Sequence, residues 1–322
     1  MSVSEDDLIA RYFVPIAGAA GLALKDDVAR MTPPPGCDLV LTVDALVAGV
    51  HFFADDPPGR IAAKALRVNL SDLAAKGATP LGFLLALALP GDASPDWLEA
   101  FAHGLGEDAK TYGCPLLGGD TVKTPGPLTL SITAFGSVAP GPMPVRTQAR
   151  PGDLLYVSGT IGDAALGLAL RRGATPTLSG HHRAFLLDRY LLPQPRLGLG
   201  LALRYAHAAM DVSDGLVGDL AKMLRASEMG GELDLRATPL SEAARSWIVA
   251  EPGAIEIAAT GGDDYEVLAA VPPVAVSAFE SAAREAQIPV RVIGRVREGE
   301  GLNVLGRDGA PARFERGAYS HF

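Results

Sequence analysis

Cysteine is nearly absent: Cys37 and Cys114 are the two in 322 residues. Two thiols make no disulfide framework, so they read as inert thiols of a cytosolic chain. Long apolar runs are missing as well. The longest, residues 81–89, is far short of the ~18 residues that cross a bilayer. The start, MSVSEDDLIARYF, has neither the basic nor the apolar region of a secretion signal. Basic charge is in deficit: 28 Lys and Arg against 37 Asp and Glu leave a net charge of −9. An acidic chain has no electrostatic footing for nucleic acid or anionic lipid, and a phosphorylated ligand must reach it through cations. The expectation is a soluble cytoplasmic protein with no nucleic-acid and no membrane partner.

Several catalytic signatures are absent too. No G-x-x-x-x-G-K-[ST] loop, G-x-S-x-G elbow, H-E-x-x-H pair or H-R-D with D-F-G occurs. The six histidines show no ligand spacing, and His181-His182 reads as a solvated loop. The string Gly104-Leu-Gly-Glu-Asp-Ala falls inside a helical pattern rather than after a strand, which rules it out as a dinucleotide fingerprint.

What is present is ample core. The chain is 48% hydrophobic and 20% charged, with a mean hydropathy of +0.21. That excludes a disordered chain, and the length suggests two domains at roughly 150 residues each. Ser4 and the acids after it start a helix. Residues 38–47 (DLVLTVDALV) alternate as a strand. Residues 58–76 carry Ile61, Ala65, Leu66, Leu70 and Leu73 at helical spacing, with Gly77 as the stop. A strand over 81–89, a helix over 94–112 capped by Ser94, and a strand over 128–136 follow. Three prolines in the seven residues from Val138 mark a break, placing a domain boundary near residue 148. Beyond it come a strand at 154–158, a helix at 163–172, a helix beginning at Asp211, strands at 265–271 and 290–296, and a helix at 274–286. Strands and helices mix in both halves, so the class is α/β (α+β), with mixed sheets flanked by helices.

The informative residues are aspartates in unusual surroundings. Asp44 interrupts an apolar strand. Asp72 lies one helical turn after Asn69, on the same face. Asp120 follows two glycines, Asp211 and Asp214 flank a helix start, and Asp26-Asp27 and Asp263-Asp264 are adjacent pairs. Alone, each has an ordinary reading as a cap, a turn residue or a solvated face. Together, with few Lys or Arg nearby, they call for another compensator, because a desolvated carboxylate costs several kcal/mol unless paired. A hard divalent cation with oxygen ligands fills that role, and magnesium points to a nucleoside triphosphate. Glycine pairs allow close approach to phosphate, and the helix start at Ser213–Gly215 offers amide donors to an anion.

The chain resembles the thiamine-monophosphate kinase family over nearly its whole length. The matching strings are LIARYF (8–13), DDVA (26–29), VDALVAGVHF (43–52), KALRVNLSDLAAKGATP (64–80), LLGGDT (116–121), RPGDLLYVSGTIGDAALGLA (150–169), DVSDGLVGDL (211–220), GGDDYEVL (261–268) and AYSHF (318–322). The resemblance implies the aminoimidazole-ribonucleotide-synthetase-like fold. Residues 1–148 would form an ATP- and magnesium-binding, dimerising domain, and 149–322 a domain completing the active site. It implies transfer of the γ-phosphoryl of ATP to thiamine monophosphate by a homodimer using several Mg2+ ions, the last step of thiamine diphosphate biosynthesis. Carried over by position, Asp27, Thr42, Val43 (through its backbone), Asp44, Asp72, Asp120, Asp211 and Asp214 are the metal ligands. Gly119, Asp120, Arg146, Ser213 and Tyr112 belong to ATP, and His51, Asp263 and Tyr319 to thiamine phosphate. No residue is assigned as acid or base, because a phosphate monoester with a second pKa of about 6 is already largely dianionic at neutral pH.

Three departures stand out. Ala23-Leu24-Lys25 replaces the glycines usual before the Asp-Asp pair, Asp263 stands where Glu is usual, and Thr124-Pro125 extends the segment after Lys123. Two rivals remain open at this point. One is a superfamily enzyme acting on formylglycinamidine ribonucleotide, selenide or a hydrogenase-maturation carbamoyl group. The other is a non-catalytic module that binds divalent cations.

Overall fold

A computed structural model describes residues 5–312, 314 and 318. Ser4, the expected cap, and Tyr319 lie outside the described residues. The chain divides into two units, Met1–Leu73 with Ala78–Gly141, and Ala74–Gly77 with Pro142–Phe322.

In the first unit, α1 (Glu5–Leu8) widens into a π turn over Ile9–Phe13. There follow β1 (Asp38–Val47), α2 (Pro58–Ala75), β2 (Thr79–Pro90), α3 (Pro95–Thr111), β3 (Leu116–Thr124) and β4 (Thr129–Val138). Ser94 starts α3 as its spacing predicts, its hydroxyl accepting the Trp97 N–H at 3.1 Å ahead of Pro95 in the first turn. The sheet order is β1-β4-β2-β3, with β3 parallel to β2 and the other pairs antiparallel. Alternation along β1 sorts its side chains. Thr42, Asp44 and Leu46 fall on one face and are wholly or half buried, whereas Leu39, Leu41 and Val43 on the other are 43%, 59% and 60% exposed. Beneath the sheltered face, Ile61, Ala65, Leu66, Leu70 and Leu73 of α2 are fully buried at the 3.6-residue period.

The second unit holds β5 (Leu154–Ser158), α4 (Asp163–Arg171), α5 (Gly180–Leu191), α6 (Gly200–Leu203), β6 (Ala208–Val212), α7 (Leu216–Ala226), β7 (Gly230–Asp234), α8 (Glu242–Ala250), α9 (Ala254–Thr260), β8 (Glu266–Val271), α10 (Val276–Glu285), β9 (Val290–Arg297) and β10 (Gly301–Leu305). The six strands order as β10-β7-β9-β5-β8-β6. Both faces of this sheet are covered. Leu268 and Ala270 pack with Leu216, Leu220 and Met223 of α7. Val267, Ala269 and Val271 pack with Phe279 and Ala283 of α10. That double burial is why YEVLAAV lacks a polar alternation.

Three local expectations change. Asp211 is on β6 rather than in a helix, because the apolar run Ala208–Val212 pairs with β8 and α7 starts only after Gly215. His181-His182 is in the first turn of α5, whose cap Ser179 accepts the His182 N–H at 3.1 Å. Asp120 is in an edge strand, β3, which the sequence pattern does not predict. Among the described residues no helix is long and apolar enough to cross a membrane. Burial pushes the Cys114 thiol up to about 12, so it stays protonated at neutral pH.

Candidate active site

In the first unit, α2 meets the sheltered face of β1 at the expected aspartates. Asn69 is fully buried; its Oδ1 accepts the Asp44 N–H at 3.1 Å and its Nδ2 donates to the Ala65 carbonyl at 3.0 Å. One turn on, the half-buried Asp72 accepts the Thr42 hydroxyl proton through Oδ2. Thr42 and Asp72 are therefore in direct contact, and the backbone of Asp44 is tied to the same helix by the buried Asn69 amide. His51 is oriented by its own loop: Nδ1 accepts the Val47 N–H at 3.0 Å.

Of the other first-unit candidates, Asp120 stands apart. Asp120 pairs with Ala86, Ala86 with Ser131, and Ser131 with Ala45. Asp120 is thus level with the residue after Asp44 but three strands away, about 14 Å at the usual strand spacing. Asp27 is exposed and follows Leu22, Ala23 and Leu24, all left-handed with φ of 52°, 58° and 53°. Leucine and alanine thus hold a conformation that glycine adopts freely. Gly119 cannot be replaced: a Cβ there would stand 1.8 Å from the Leu85 carbonyl oxygen. Since backbone cannot rotate away, Gly119→Ala is expected to destabilise by about 2 kcal/mol or more, measured by thermal denaturation. Tyr112, at the C-terminal cap of α3, lies 5.4 Å under the Arg67 guanidinium. Arg67 is itself clamped to Asp108 by bonds of 2.6 and 2.9 Å. The sequence reading missed both partners.

In the second unit, three glycine-containing segments meet: 158–163, 211–215 and 261–266. The Asp263 N–H donates to the Ser213 carbonyl and the Tyr265 N–H to the Val212 carbonyl, both at 2.9 Å. Asp263 and Tyr265 sit at φ of 73° and 52°, uncommon for non-glycine residues. Gly262 lets the strands touch, since a Cβ would be 2.3 Å from the Ser213 carbonyl oxygen. Asp211 is buried here, Ser213 and Asp214 half-buried, and Arg146 exposed in the segment leading into this unit.

Two expectations about this region are corrected. The Ser213 and Asp214 amides before α7 are not open to an anion: Asp219 Oδ2 takes them at 2.9 and 2.8 Å. Nor is Asp214 without a basic neighbour, for Lys222 donates to its Oδ2 and to Asp219 Oδ1. Burial raises the Asp219 pKa against the pull of Lys222. For Lys222, burial works downward but the bonds to Asp214 and Asp219 outweigh it and raise the pKa.

Three further buried acids went unassigned by the sequence reading. Asp264 Oδ2 accepts the Gly162 N–H at 2.7 Å and Oδ1 the Ala164 N–H at 3.3 Å, at the start of α4. Asp163 accepts the Thr160 and Ser241 hydroxyls. Desolvation pushes both carboxyls upward. Glu266 is fully buried and accepts from Ser158 at 2.6 Å, Arg189 at 3.0 Å and Arg196 at 2.6 Å. Gly-Gly-Asp occurs at both 118–120 and 261–263, and the second copy was the visible signal for this node.

Magnesium usually takes one or two carboxylates and fills its other positions with water and substrate phosphate, so an all-protein cage is not its expected form. The donors are of the right kind. Thr42, Asp44 and Asp72 offer hard oxygens in the first unit, and Asp211 and Asp214 in the second. Among the described residues no group of three or more His, Cys, Asp or Glu is placed to hold a metal unaided.

Known proteins place these features in a class. Residues 25–138 match the AIR synthase related protein N-terminal domain, and 150–307 match its C-terminal domain. The fold is of that two-domain kind, and the chain belongs to the AIR synthase related family. A thiamine-monophosphate kinase of Caulobacter vibrioides is 44% identical over 319 residues, covering 97% of this chain and 90% of the relative. The crystal structure of thiamine-monophosphate kinase from Stenotrophomonas maltophilia superposes with a TM-score of 0.80 at 42% identity, covering 90% of this chain and 91% of that one. AaThiL, solved with AMPPCP and TMP, superposes at 0.78 and 30% identity, covering 99% and 97%. Within that class the chain belongs to the thiamine-monophosphate kinases, and it is an enzyme, a kinase.

Proposed function

We propose that the chain transfers the γ-phosphoryl group of ATP to thiamine monophosphate by direct in-line attack, giving thiamine diphosphate and ADP. The observation that carries this reading is the contact of Asp72 with Thr42 and of Asn69 with the Asp44 backbone, where α2 meets β1, in a chain similar over 97% of its length to a thiamine-monophosphate kinase. The ligands of AaThiL, AMPPCP and TMP, support the two co-substrates. Two anionic reactants must approach a protein with a net charge of −9. Bound Mg2+ supplies the neutralising charge and stabilises the transferring group.

The chain's own residues bind and orient. Thr42, Asp44 and Asp72, with Asp27, Asp120 and the Val43 backbone, hold cations in the first unit; Asp211 and Asp214 do so in the second. Gly119, Asp120, Arg146, Ser213 and Tyr112 contact ATP. His51, Asp263 and Tyr319 contact thiamine phosphate. The acceptor is already deprotonated, so no side chain removes a proton. The exposed apolar residues Leu39, Leu41 and Val43, with Val122 of β3 at 49%, form a surface suited to a second copy of the chain, and the protein works as a cytoplasmic homodimer.

The test is direct. The protein with ATP, Mg2+ and thiamine monophosphate is expected to form thiamine diphosphate and ADP in equal amounts, read by chromatography. ATP turnover without thiamine diphosphate would favour another member of the superfamily. Metal binding with no turnover would favour a non-catalytic module. Isolation of a phosphorylated enzyme on the path would contradict direct transfer.

A further inference from the structure

Lys222 links two carboxylates that have different surroundings. Asp219 is fully buried, and its second oxygen already holds the amides of Ser213 and Asp214. Asp214 is one-third exposed, as is Lys222 itself. The bond from Lys222 to Asp219, 2.9 Å long, spans i,i+3 within α7. The bond to Asp214 does not belong to the helix: it reaches back eight residues, into the turn before α7 begins. One ammonium thus serves two carboxylates and covers an oxygen of the one assigned to metal.

We propose that Lys222 is a built-in counter-cation that holds down the divalent-metal affinity of Asp214 in the nucleotide-free enzyme. This rests on the reading of Asp214 as a metal ligand. Two physical terms act in the same direction. An ammonium bonded to Asp214 Oδ2 must give up that oxygen before a cation takes it. If the ammonium instead stays near, its charge repels the incoming ion. Removing the charge therefore tightens metal binding by either route. The turn does not depend on Lys222 for its shape, because Asp219 holds the Ser213 and Asp214 amides directly. Metal binding at Asp214 is then favoured when nucleotide phosphate adds its own negative charge, and suppressed in the empty protein.

The experiment is a Mn2+ titration of the full-length, nucleotide-free protein, reading free Mn2+ by electron paramagnetic resonance, with Mg2+ as competitor. Lys222→Met and Lys222→Gln are expected to bind Mn2+ on the order of threefold to tenfold more tightly than the parent. Lys222→Arg, which keeps the charge, is expected to bind as the parent does. Asp214→Asn is expected to weaken binding, and adding Lys222→Met to it to restore little. Tighter binding is a result that mere damage to the fold does not give. Unchanged or weaker binding in both neutral variants, while Asp214→Asn weakens it, overturns the role of Lys222 and leaves the ligand reading intact. Unchanged binding in Asp214→Asn overturns the ligand reading itself.

Discussion

Asp72→Asn is expected to lower kcat by about three orders of magnitude while the protein keeps its fold. The substitution keeps size and shape. Asparagine Oδ1 still accepts the Thr42 hydroxyl, so the contact between α2 and β1 persists. Asp72 is half-buried, not deep in the core. What is lost is one negative charge on the helix that holds the Asp44 backbone, at the place where the proposed function puts a cation between the reactants. That effect is strongest in the transition state, so kcat falls more than KM rises. Steady-state kinetics beside a thermal melt separates the two outcomes. A variant that melts like the parent yet turns over at a near-normal rate would remove Asp72 from the metal set.

Glu266→Ala is expected to cost about 3–5 kcal/mol of stability, the usual penalty for leaving a buried charge without its partner. Here two guanidinium groups lose the same carboxylate. Arg189 is more than nine-tenths covered and has a buried Nε with no hydrogen-bond partner, so it has little water to turn to. Arg196, with 22% of its side chain exposed, is partly relieved by solvent. Glu266→Gln, which keeps the shape and an acceptor oxygen, is expected to lose less. Urea denaturation measures both. A loss below about 1 kcal/mol for the alanine variant would mean the arginines find other partners.

The sequence shows the frame of the site more readily than its wiring. The alternation in DLVLTVDALV correctly places Thr42 and Asp44 on the same face of a strand, and the one-turn spacing of Asn69 and Asp72 places both on one helix face. That the two faces meet is a tertiary fact that no local pattern carries. β3 escapes detection because Gly118-Gly119-Asp120 has poor strand propensity; it forms because β2 offers a parallel ladder at the sheet edge. α5 escapes because His181, His182 and Arg183 hide its start, and its buried residues are confined to Leu186, Arg189 and Tyr190 near its end. Asp219 looks like an ordinary first-turn acid, and only the fold shows it taking amides from the preceding turn. Glu266 looks like the polar beat of an alternating strand, yet all six residues of β8 are buried. Lys222 lies eight residues from Asp214, a spacing that matches no local pairing rule. Asp264 and Glu266 were hidden because their partners are distant in sequence.

The central claim is that dispersed aspartates hold Mg2+ for two anionic reactants. Its most direct test is anomalous diffraction from crystals grown with Mn2+, a non-hydrolysable ATP analogue and thiamine monophosphate. Manganese peaks are expected close to the ~2.1 Å spacing of magnesium–oxygen bonds from carboxylates of Asp44 or Asp72 and of Asp211 or Asp214. Peaks bound by nucleotide phosphate alone, with these carboxylates left to solvent or to protein partners, would contradict it.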